Sequence, residues 1–265
     1  MAALLAPAMT TLRFWLLGSL VGLAGSTAAT PAQAEPYLRL GVGADGSSTS
    51  TFRDRNCQAT NPPALFGCGA GRNGQPLQAT GAFGTGAVLD AGLGYRLNSW
   101  LRAEALFSYR PAYEYRGQAN FLQSAPPQPV SANLSSVAGF GVGYIDLPRL
   151  RRLQPYLGAG VGVARNRISA VRYDFPAIAP DASTTIAGGT TTGLAWLLTA
   201  GLAIPLNDQL SLDLAYRYSD LGRVQTDSGS ASIARPTGNR TLEIAGTQAA
   251  LQTHGAMLSL RYAFR

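Results

Sequence analysis

Between residues 37 and 265 the chain repeats one pattern eight times: a stretch that alternates apolar with polar or small side chains, then a turn or polar loop. In the clearest repeat, residues 210–221, alternate positions carry Leu and Tyr while the positions between them carry Ser, Asp, Ala and Arg. Successive side chains of a β-strand point to opposite faces, so this alternation predicts strands whose two faces meet different surroundings. Leu and Tyr on one face, with ionised groups and glycine on the other, are typical of a barrel in lipid.

The lengths of the connections carry a second signal. The predicted strands cover residues 37–44, 87–97, 100–110, 135–147, 156–165, 194–206, 210–221 and 251–264, and the connections alternate long and short, beginning and ending with a long one. Outer-membrane barrels have short periplasmic turns and long extracellular loops. Strands can satisfy their backbone in lipid only as a closed barrel. The chain therefore predicts an all-β fold, an eight-stranded antiparallel up-and-down transmembrane β-barrel over residues 35–265 with four long extracellular loops.

Residues 1–34 have the features of a cleaved leader. Arg13 precedes an apolar run over residues 14–25, and small residues lead to Ala32-Gln33-Ala34. A charged start, a short apolar core and an A-x-A site are typical of a secretory signal peptide. The run is shorter than the roughly 20 residues of a transmembrane helix. We expect export and cleavage after Ala34, with translation starting at Met1 or Met9.

Two segments carry a resemblance to a known family. They are residues 155–164, PYLGAGVGVA, and residues 210–222, LSLDLAYRYSDLG, supported by the final strand. The chain resembles the eight-stranded outer-membrane β-barrel family of opacity-protein and surface-antigen type, whose fold is like that of OmpA-type barrels. The resemblance covers residues 35–265 and implies a barrel in the cell outer membrane of a Gram-negative bacterium. Such chains usually end on an aromatic residue that the barrel-assembly machinery reads, whereas Phe264 is penultimate here.

The composition and charge of the chain limit the classes of binding partner that we expect. All 21 basic residues are Arg, and the net charge is +7. Genomic base composition explains the lack of Lys. The arginines are spread along an exported chain, so nucleic acid is not expected as a partner. Outer-membrane lipid and the phosphates of lipopolysaccharide suit the positive charge better. We expect a monomer without cofactor.

The two cysteines, Cys57 and Cys68, lie in the first long loop. In an exported protein two nearby loop cysteines favour a disulfide over free thiols. A metal site would need more ligands, and the one histidine lies far along the chain. We therefore expect a disulfide and no metal.

Charged residues on the inward face of the predicted strands form a candidate lumen network. Its members are Arg39, Asp90, Arg96, Arg102, Glu104, Arg110, Asp213, Arg217 and Arg261. A barrel of eight strands is just wide enough inside to be filled by side chains, which favours a paired polar core over an ion path. However, six arginines exceed three carboxylates. The glycines in residues 139–143 and 158–162, expected inside, keep a water-filled half-lumen open as an alternative.

Aromatic residues near strand ends are predicted to form two girdles at the lipid interfaces. They are Tyr95, Trp100, Tyr109, Tyr144, Tyr156, Trp196, Tyr216, Tyr218, Tyr262 and Phe264.

The long loops are where a binding function is expected, since loops on a rigid scaffold carry function. Aromatic and Arg residues there are candidate contacts for a host surface or lipopolysaccharide: Phe52, Arg53, Arg55, Phe66, Tyr113, Tyr115, Arg116, Tyr173 and Phe175. A structural or surface-interaction role is favoured, and a small passive channel is the first alternative. A lipid A-modifying enzyme is the second, with His254 as base, but the position expected for its Ser nucleophile is Ala256. We therefore expect no enzyme activity.

Overall fold

The fold consists of antiparallel strands, described by a computed structural model over residues 35–264 without 63, 65–66, 70, 72, 122–126, 234–237 and 239. The predicted signal peptide, residues 1–34, lies outside the described residues and remains a prediction. The strands are β1 (Glu35–Ser47), β2 (Ser50–Asp54), β3 (Ala79–Ala82), β4 (Thr85–Arg96), β5 (Leu101–Ala119), β6 (Gln128–Asp146), β7 (Gln154–Ile168), β8 (Val171–Asp174), β9 (Ser183–Ile186), β10 (Gly189–Pro205), β11 (Leu210–Gln225), β12 (Gly229–Ile233), β13 (Arg240–Ile244) and β14 (Thr247–Ala263). Among the described residues no helix has the length and apolar character needed to cross a membrane.

Eight long strands form a closed ring. In order they are β1, β4, β5, β6, β7, β10, β11 and β14, each antiparallel to the next. The ring closes because β1 also pairs with β14, so that Leu40 lies opposite Ala91 on one side and Leu260 on the other. Closure removes the sheet edges that lipid would leave without hydrogen bonds. The predicted all-β, eight-stranded antiparallel barrel is confirmed.

Two of the three short turns are shaped by asparagine side chains. Asn98 Oδ1 accepts hydrogen bonds from the backbone N–H groups of Trp100 and Leu101 at 2.9 and 2.8 Å. Asn207 Oδ1 does the same for Gln209 and Leu210, at 2.9 and 2.7 Å. Such side-chain bonds mimic a backbone turn and fix the tight reversal between two strands.

The strands continue well beyond the membrane on the long-loop side. Strands β5 and β6 each have 19 residues, whereas a transmembrane strand needs about 9–11. Short strands lengthen the wall there, since β2 pairs with β14, β3 with β5 and β8 with β6. The predicted strands were therefore too short on this side, because residues assigned to the long loops continue them. We call this upper part of the barrel, built from the long-loop ends of the strands and from β2, β3, β8 and β9, the extracellular extension.

The outer wall of the membrane-spanning part is apolar. Large apolar side chains point outward there and are strongly exposed, with Leu194 at 85% and Val161 at 72%. In water this surface would favour aggregation, but in a bilayer it contacts acyl chains. The predicted lipid-facing pattern thus holds for β7, where Leu157, Val161 and Val163 all point outward.

Candidate functional site: the barrel interior and its extracellular rim

The interior of the membrane-spanning part contains five ion pairs. They are Arg39–Glu104 at 2.6 Å, Arg102–Asp146 at 2.7 Å, Arg110–Asp45 at 3.0 Å, Arg217–Asp90 at 2.7 Å and Arg261–Asp213 at 3.2 Å. None of these side chains is more than 7% exposed. Each of the five buried arginines therefore has its own carboxylate, which offsets the cost of taking both charges out of water.

Glu104 is the most heavily bonded carboxylate of the network. Its Oε1 accepts from Arg39 Nε at 3.0 Å and Nη2 at 2.6 Å, and its Oε2 accepts from Tyr37 Oη at 3.0 Å. The Tyr144 hydroxyl lies 3.4 Å from Oε1 and accepts from Arg39 Nη2 at 3.2 Å. These groups come from strands β1, β5 and β6, so Glu104 links three strands through the lumen.

Arg102 lies among aromatic rings at the short-turn end. Its Nε and Nη2 donate to Asp146, and its guanidinium carbon lies 4.7 Å from the Tyr144 ring centroid and 5.1 Å from that of Tyr156. Both rings are buried. The prediction that Tyr144 and Tyr156 face the lipid interface was therefore wrong. Desolvated cation–π contacts of this kind stabilise the arginine where water is excluded.

The error on Tyr144 has a specific cause in β6. Between residues 138 and 144 this strand alternates glycine with larger apolar residues, and the polar residues of the inward face, Ser136 and Asp146, lie only at the two ends of that stretch. The larger set, Ala138, Phe140, Val142 and Tyr144, is buried inside, and the glycines at 139, 141 and 143 face lipid. The β7 glycines do face inward, but a Cβ on Gly158 would lie 2.6 Å from the Tyr144 ring and one on Gly160 2.9 Å from Val142. The β6 side chains occupy that space, so the expected half-lumen is filled.

Two members of the network were missed in the sequence. Asp45 had been assigned to the first long loop, but β1 continues to Ser47 and its alternation places Asp45 inside with Arg39. Asp146 shares the parity of Tyr144, so the wrong face predicted for Tyr144 also placed Asp146 outside the lumen. Alternation along the strand predicts both inward positions once the end of β1 and the inward face of β6 are known. They supply the carboxylates that the predicted set lacked.

Arg96 differs from the other predicted lumen charges. It is half-buried at the short-turn mouth, where it lines a small cavity of about 150 Å³ with Glu35, Asp208 and Arg261. The structure therefore brings eight of the nine predicted charges into the buried interior and leaves Arg96 at its periplasmic opening.

The upper interior is apolar. The rings of Phe52, Phe83 and Tyr115 contact one another, with centroids 5.0 Å apart for Phe52–Tyr115 and Phe83–Tyr115 and 6.1 Å for Phe52–Phe83. We call this cluster, with the buried side chains around it, the apolar plug. The surrounding members are Val130, Leu134, Ile168, Tyr173, Phe175, Ile186, Leu221, Val224 and Leu251.

The apolar plug corrects the predicted loop contacts. Phe52, Tyr113, Tyr115, Tyr173 and Phe175 are buried and unavailable to an external ligand, and Tyr113 hydrogen-bonds Asp45. Three of the predicted contacts, Arg53, Arg55 and Arg116, are exposed, and Phe66 lies outside the described residues.

Burial and pairing shift two pKa values in the extracellular extension. Burial in the apolar plug raises the pKa of Tyr173, and a hydrogen bond from Arg116 lowers the pKa of the exposed Glu114. Tyr173 is therefore neutral and Glu114 ionised at neutral pH.

The remaining predicted girdle residues lie on the outer wall in two rows. Tyr95, Trp100, Tyr262 and Phe264 are exposed near the short turns, and Tyr109, Trp196, Tyr216 and Tyr218 lie farther up, with Tyr218 partly exposed. Rings pair within each row, as in Tyr262–Phe264 and Trp196–Tyr218, whose centroids are both 5.3 Å apart. Two aromatic rows match the two interfaces of a bilayer.

His254 belongs to the upper aromatic row. It is exposed on the outer face of β14, opposite Tyr218, and its Nδ1 lies 3.0 Å from the Tyr216 hydroxyl. An imidazole can exchange hydrogen bonds with a tyrosine at the headgroup level, which accounts for its position.

The first extracellular loop contains a disulfide. Cys57 and Cys68 are joined, with their Cα atoms 5.1 Å apart, between β2 and β3. We expect that replacing both with serine leaves barrel assembly intact, because the closed loop lies outside the ring of eight strands. The chain-entropy estimate for such a loop is about 3 kcal/mol at most. Heat-dependent gel mobility measures barrel folding, and loss of the folded band in the double variant would contradict this expectation.

Comparison with known proteins assigns the chain. The outer membrane protein beta-barrel domain matches residues 16–264. An uncharacterized protein of Brucella abortus strain 2308 is 34% identical over 150 residues, which cover 50% of this chain and 51% of that protein. The chain thus spans about half the length of the curated relatives it matches. OprG from Pseudomonas aeruginosa aligns over 88% of this chain and 98% of its own, with 16% identity and a TM-score of 0.48. Neisserial surface protein A aligns over 86% and 97%, with 13% identity and a TM-score of 0.38. The chain belongs to the outer membrane protein beta-barrel family and resides in the outer membrane.

Proposed function

We propose that the protein is a closed, non-conducting outer-membrane scaffold that holds the extracellular extension at the cell surface for structural or surface-interaction roles. The observation that carries this proposal is the filled interior, in which five buried ion pairs occupy the membrane-spanning part and the apolar plug lies above them. In this proposal it assembles as a monomer through the barrel-assembly machinery, with Phe264 exposed at the end of the last strand.

A filled interior argues against the small passive channel. A conducting ion would have to pass the Phe52, Phe83 and Tyr115 rings, each at most 1% exposed. Moving an ion into such an apolar region costs far more than thermal energy. Below the plug, each arginine is held by a carboxylate and so presents no unpaired charge to a passing ion.

We further propose that the protein is not an enzyme. The lipid A-modifying alternative needs a nucleophile beside His254. The polar partner of this ring is the Tyr216 hydroxyl, and the position two residues on is Ala256. A hydroxyl held by a histidine at an exposed interface, with no third orienting group in contact among the described residues, lacks the geometry of an activated nucleophile.

The closed lumen has a direct test. We expect the refolded protein to show no steady conductance in planar bilayers, because the apolar plug and the paired charges leave no hydrated path. Detergent without protein serves as the blank. A steady ohmic conductance in the wild type, with an ion selectivity that changes in Asp90→Asn, would contradict the scaffold proposal and favour the passive channel.

A further inference from the structure

One part of the lipid-facing wall is hollowed along β6. Gly139, Gly141 and Gly143 point outward, and a Cβ on Gly139 or Gly143 would have no atom within 4 Å. The flanking strands supply walls, since the register places Phe107 on β5 and Val163 on β7 at either side of Gly139. Neighbouring strands are about 4.8 Å apart, so the walls stand about 10 Å apart across β6. We call this feature, residues 139–143 with its walls, the β6 trough. It is wide enough for one acyl chain.

The β6 trough leads up to a polar groove at the extracellular edge of the apolar wall. The irregular register between Arg110 and Tyr113 adds Pro111 and Ala112 to β5 opposite Ser135, and the wall opens there. The groove has a volume of about 750 Å³, and the polar side chains that line it are Asn133, Ser135, Arg167, Ser169, Thr190 and Asp227. We call it the rim groove.

Two arginines place positive charge in the rim groove and just below it. Arg167 lines it, and Arg165 lies two residues lower on the same outward face of β7, opposite Val137 at the top of the trough. Both are exposed, and within the described part of the chain neither has a carboxylate within 4.0 Å. Asp227 lines the groove as well.

Two exposed arginines in the extracellular extension are already paired. Arg116 bonds Glu114 at 2.9 Å and Arg172 bonds Asp174 at 2.8 Å. Arg165 and Arg167 differ from these two in having no carboxylate within 4.0 Å among the residues that the structure describes, and they lie at the upper edge of the apolar wall, the level of lipid headgroups. A guanidinium binds phosphate through two parallel hydrogen bonds, so a phosphate is the complementary ligand.

We propose that the rim groove and the β6 trough together bind one molecule of lipopolysaccharide through its lipid A. A lipid A phosphate binds Arg165 and Arg167, its sugar hydroxyls bond Asn133 and Ser135, and one acyl chain lies on the glycines of β6. The long-loop side faces the outer leaflet, where this lipid resides. This proposal names a partner for the scaffold but does not depend on whether the lumen conducts ions.

The proposed binding of the lipid A headgroup is tested with the full-length protein, which is folded in detergent and titrated with purified lipid A. In the double variant Arg165→Ala/Arg167→Ala we expect the Kd to rise at least about tenfold, the factor that corresponds to losing roughly one charge-assisted hydrogen bond. The matched control is Arg116→Ala/Arg172→Ala, which removes two equally exposed arginines that hold carboxylates. We expect its Kd to stay within about twofold of the wild type, since these guanidinia are already occupied.

The acyl-chain part is tested by filling the trough. In Gly141→Leu the added Cβ meets only the Val161 carbonyl oxygen, at 4.0 Å, and the side chain points outward into the trough, so we expect the fold to be kept. We expect lipid A affinity to fall several-fold, whereas Ala256→Leu, which likewise places a leucine on the outer wall but on β14, leaves it unchanged. Thermal unfolding and bilayer conductance, measured on every variant, keep a failure of lipid binding separate from a failure of the closed scaffold.

Four results would overturn the proposal. The first is that dephosphorylated lipid A binds as tightly as lipid A, and the second is that phosphatidylglycerol competes as well as lipid A does. The third is that the arginine variant and its control lose the same affinity. The fourth is a Gly141→Leu variant that changes oligomeric state without changing lipid A affinity. The first would show that the two arginines do not bind a phosphate, the second and third would reduce the rim to unspecific attraction of anions, and the last would make the β6 trough an interface between copies of the chain. Selective loss in the Arg165→Ala/Arg167→Ala and Gly141→Leu variants supports it.

Discussion

Replacing Glu104 with alanine is expected to lower the free energy of unfolding by about 3–5 kcal/mol, the range for removing one partner of a buried ion pair. The variant leaves the Arg39 guanidinium and the Tyr37 hydroxyl without their shared acceptor, inside a lumen where the Glu104 side chain itself has no exposed surface. Denaturant unfolding in lipid vesicles, followed by tryptophan fluorescence, measures the change.

The control for this prediction is Leu93→Ala on the neighbouring strand β4. Leu93 is 64% exposed on the outer wall, so its truncation leaves no cavity and only exchanges contacts with lipid. Glu104→Gln separates charge from hydrogen bonding, because the amide oxygen still accepts one bond from Arg39. We expect its loss to lie between those of the other two variants. If Glu104→Ala were no more destabilising than Leu93→Ala, the lumen would be hydrated and its charges individually solvated.

The ring of strands was predictable because its cause is local. In each strand, alternate residues suit two different environments. In β7, Leu157, Val161 and Val163 face lipid and the glycines between them face the lumen. The alternation of short and long connections then places both chain ends on one side. Eight strands, their order and their membrane location follow from these two features without any long-range contact.

The face of β6 was not predictable in this way. Its two sets of residues are glycine and apolar, and either set fits lipid or a packed lumen. What decides is Asp146, whose carboxylate belongs with Arg102 of β5, together with the space that the β7 glycines leave for Tyr144. Both act through contacts between strands, and the alternation of residues within β6 alone does not show those contacts.

The extracellular extension was missed because its strands contain irregularities that shift the alternation. Tyr109 faces outward, and with unbroken alternation Tyr113 and Tyr115 would as well, yet both are buried inside. The register shift between Arg110 and Tyr113 reverses the faces, and a second one between Asp220 and Arg223 lies in β11. A bulge puts one extra residue into one strand and thereby interrupts the period-two signal. Pattern reading consequently ended these strands at the bulges and assigned the rest to loops.

Phe83→Ala is expected to destabilise the extracellular extension by about 3–5 kcal/mol, the usual cost of removing a buried phenylalanine ring from a packed core. Phe83 has no exposed surface, and its ring contacts both Phe52 and Tyr115, so its loss leaves a cavity in the centre of the apolar plug. The chain contains arginine but no lysine, so trypsin reports where the extension opens. We expect cleavage after Arg53 and Arg55, which flank the plug on β2 and just beyond it, to become much faster.

The membrane-spanning ring should respond much less, because its stability comes from the backbone ladder in lipid and from the ion pairs below the plug. Heat-dependent gel mobility of Phe83→Ala is therefore expected to stay close to that of the wild type while its cleavage accelerates. Ile178→Ala is the matched control, since Ile178 lies in the same extracellular region but is 38% exposed and leaves little cavity. Equal cleavage rates in the two variants would show that the plug does not hold the extension together. A parallel collapse of the folded band in Phe83→Ala would instead make the plug and the ring one cooperative unit, because local opening and global unfolding would then coincide.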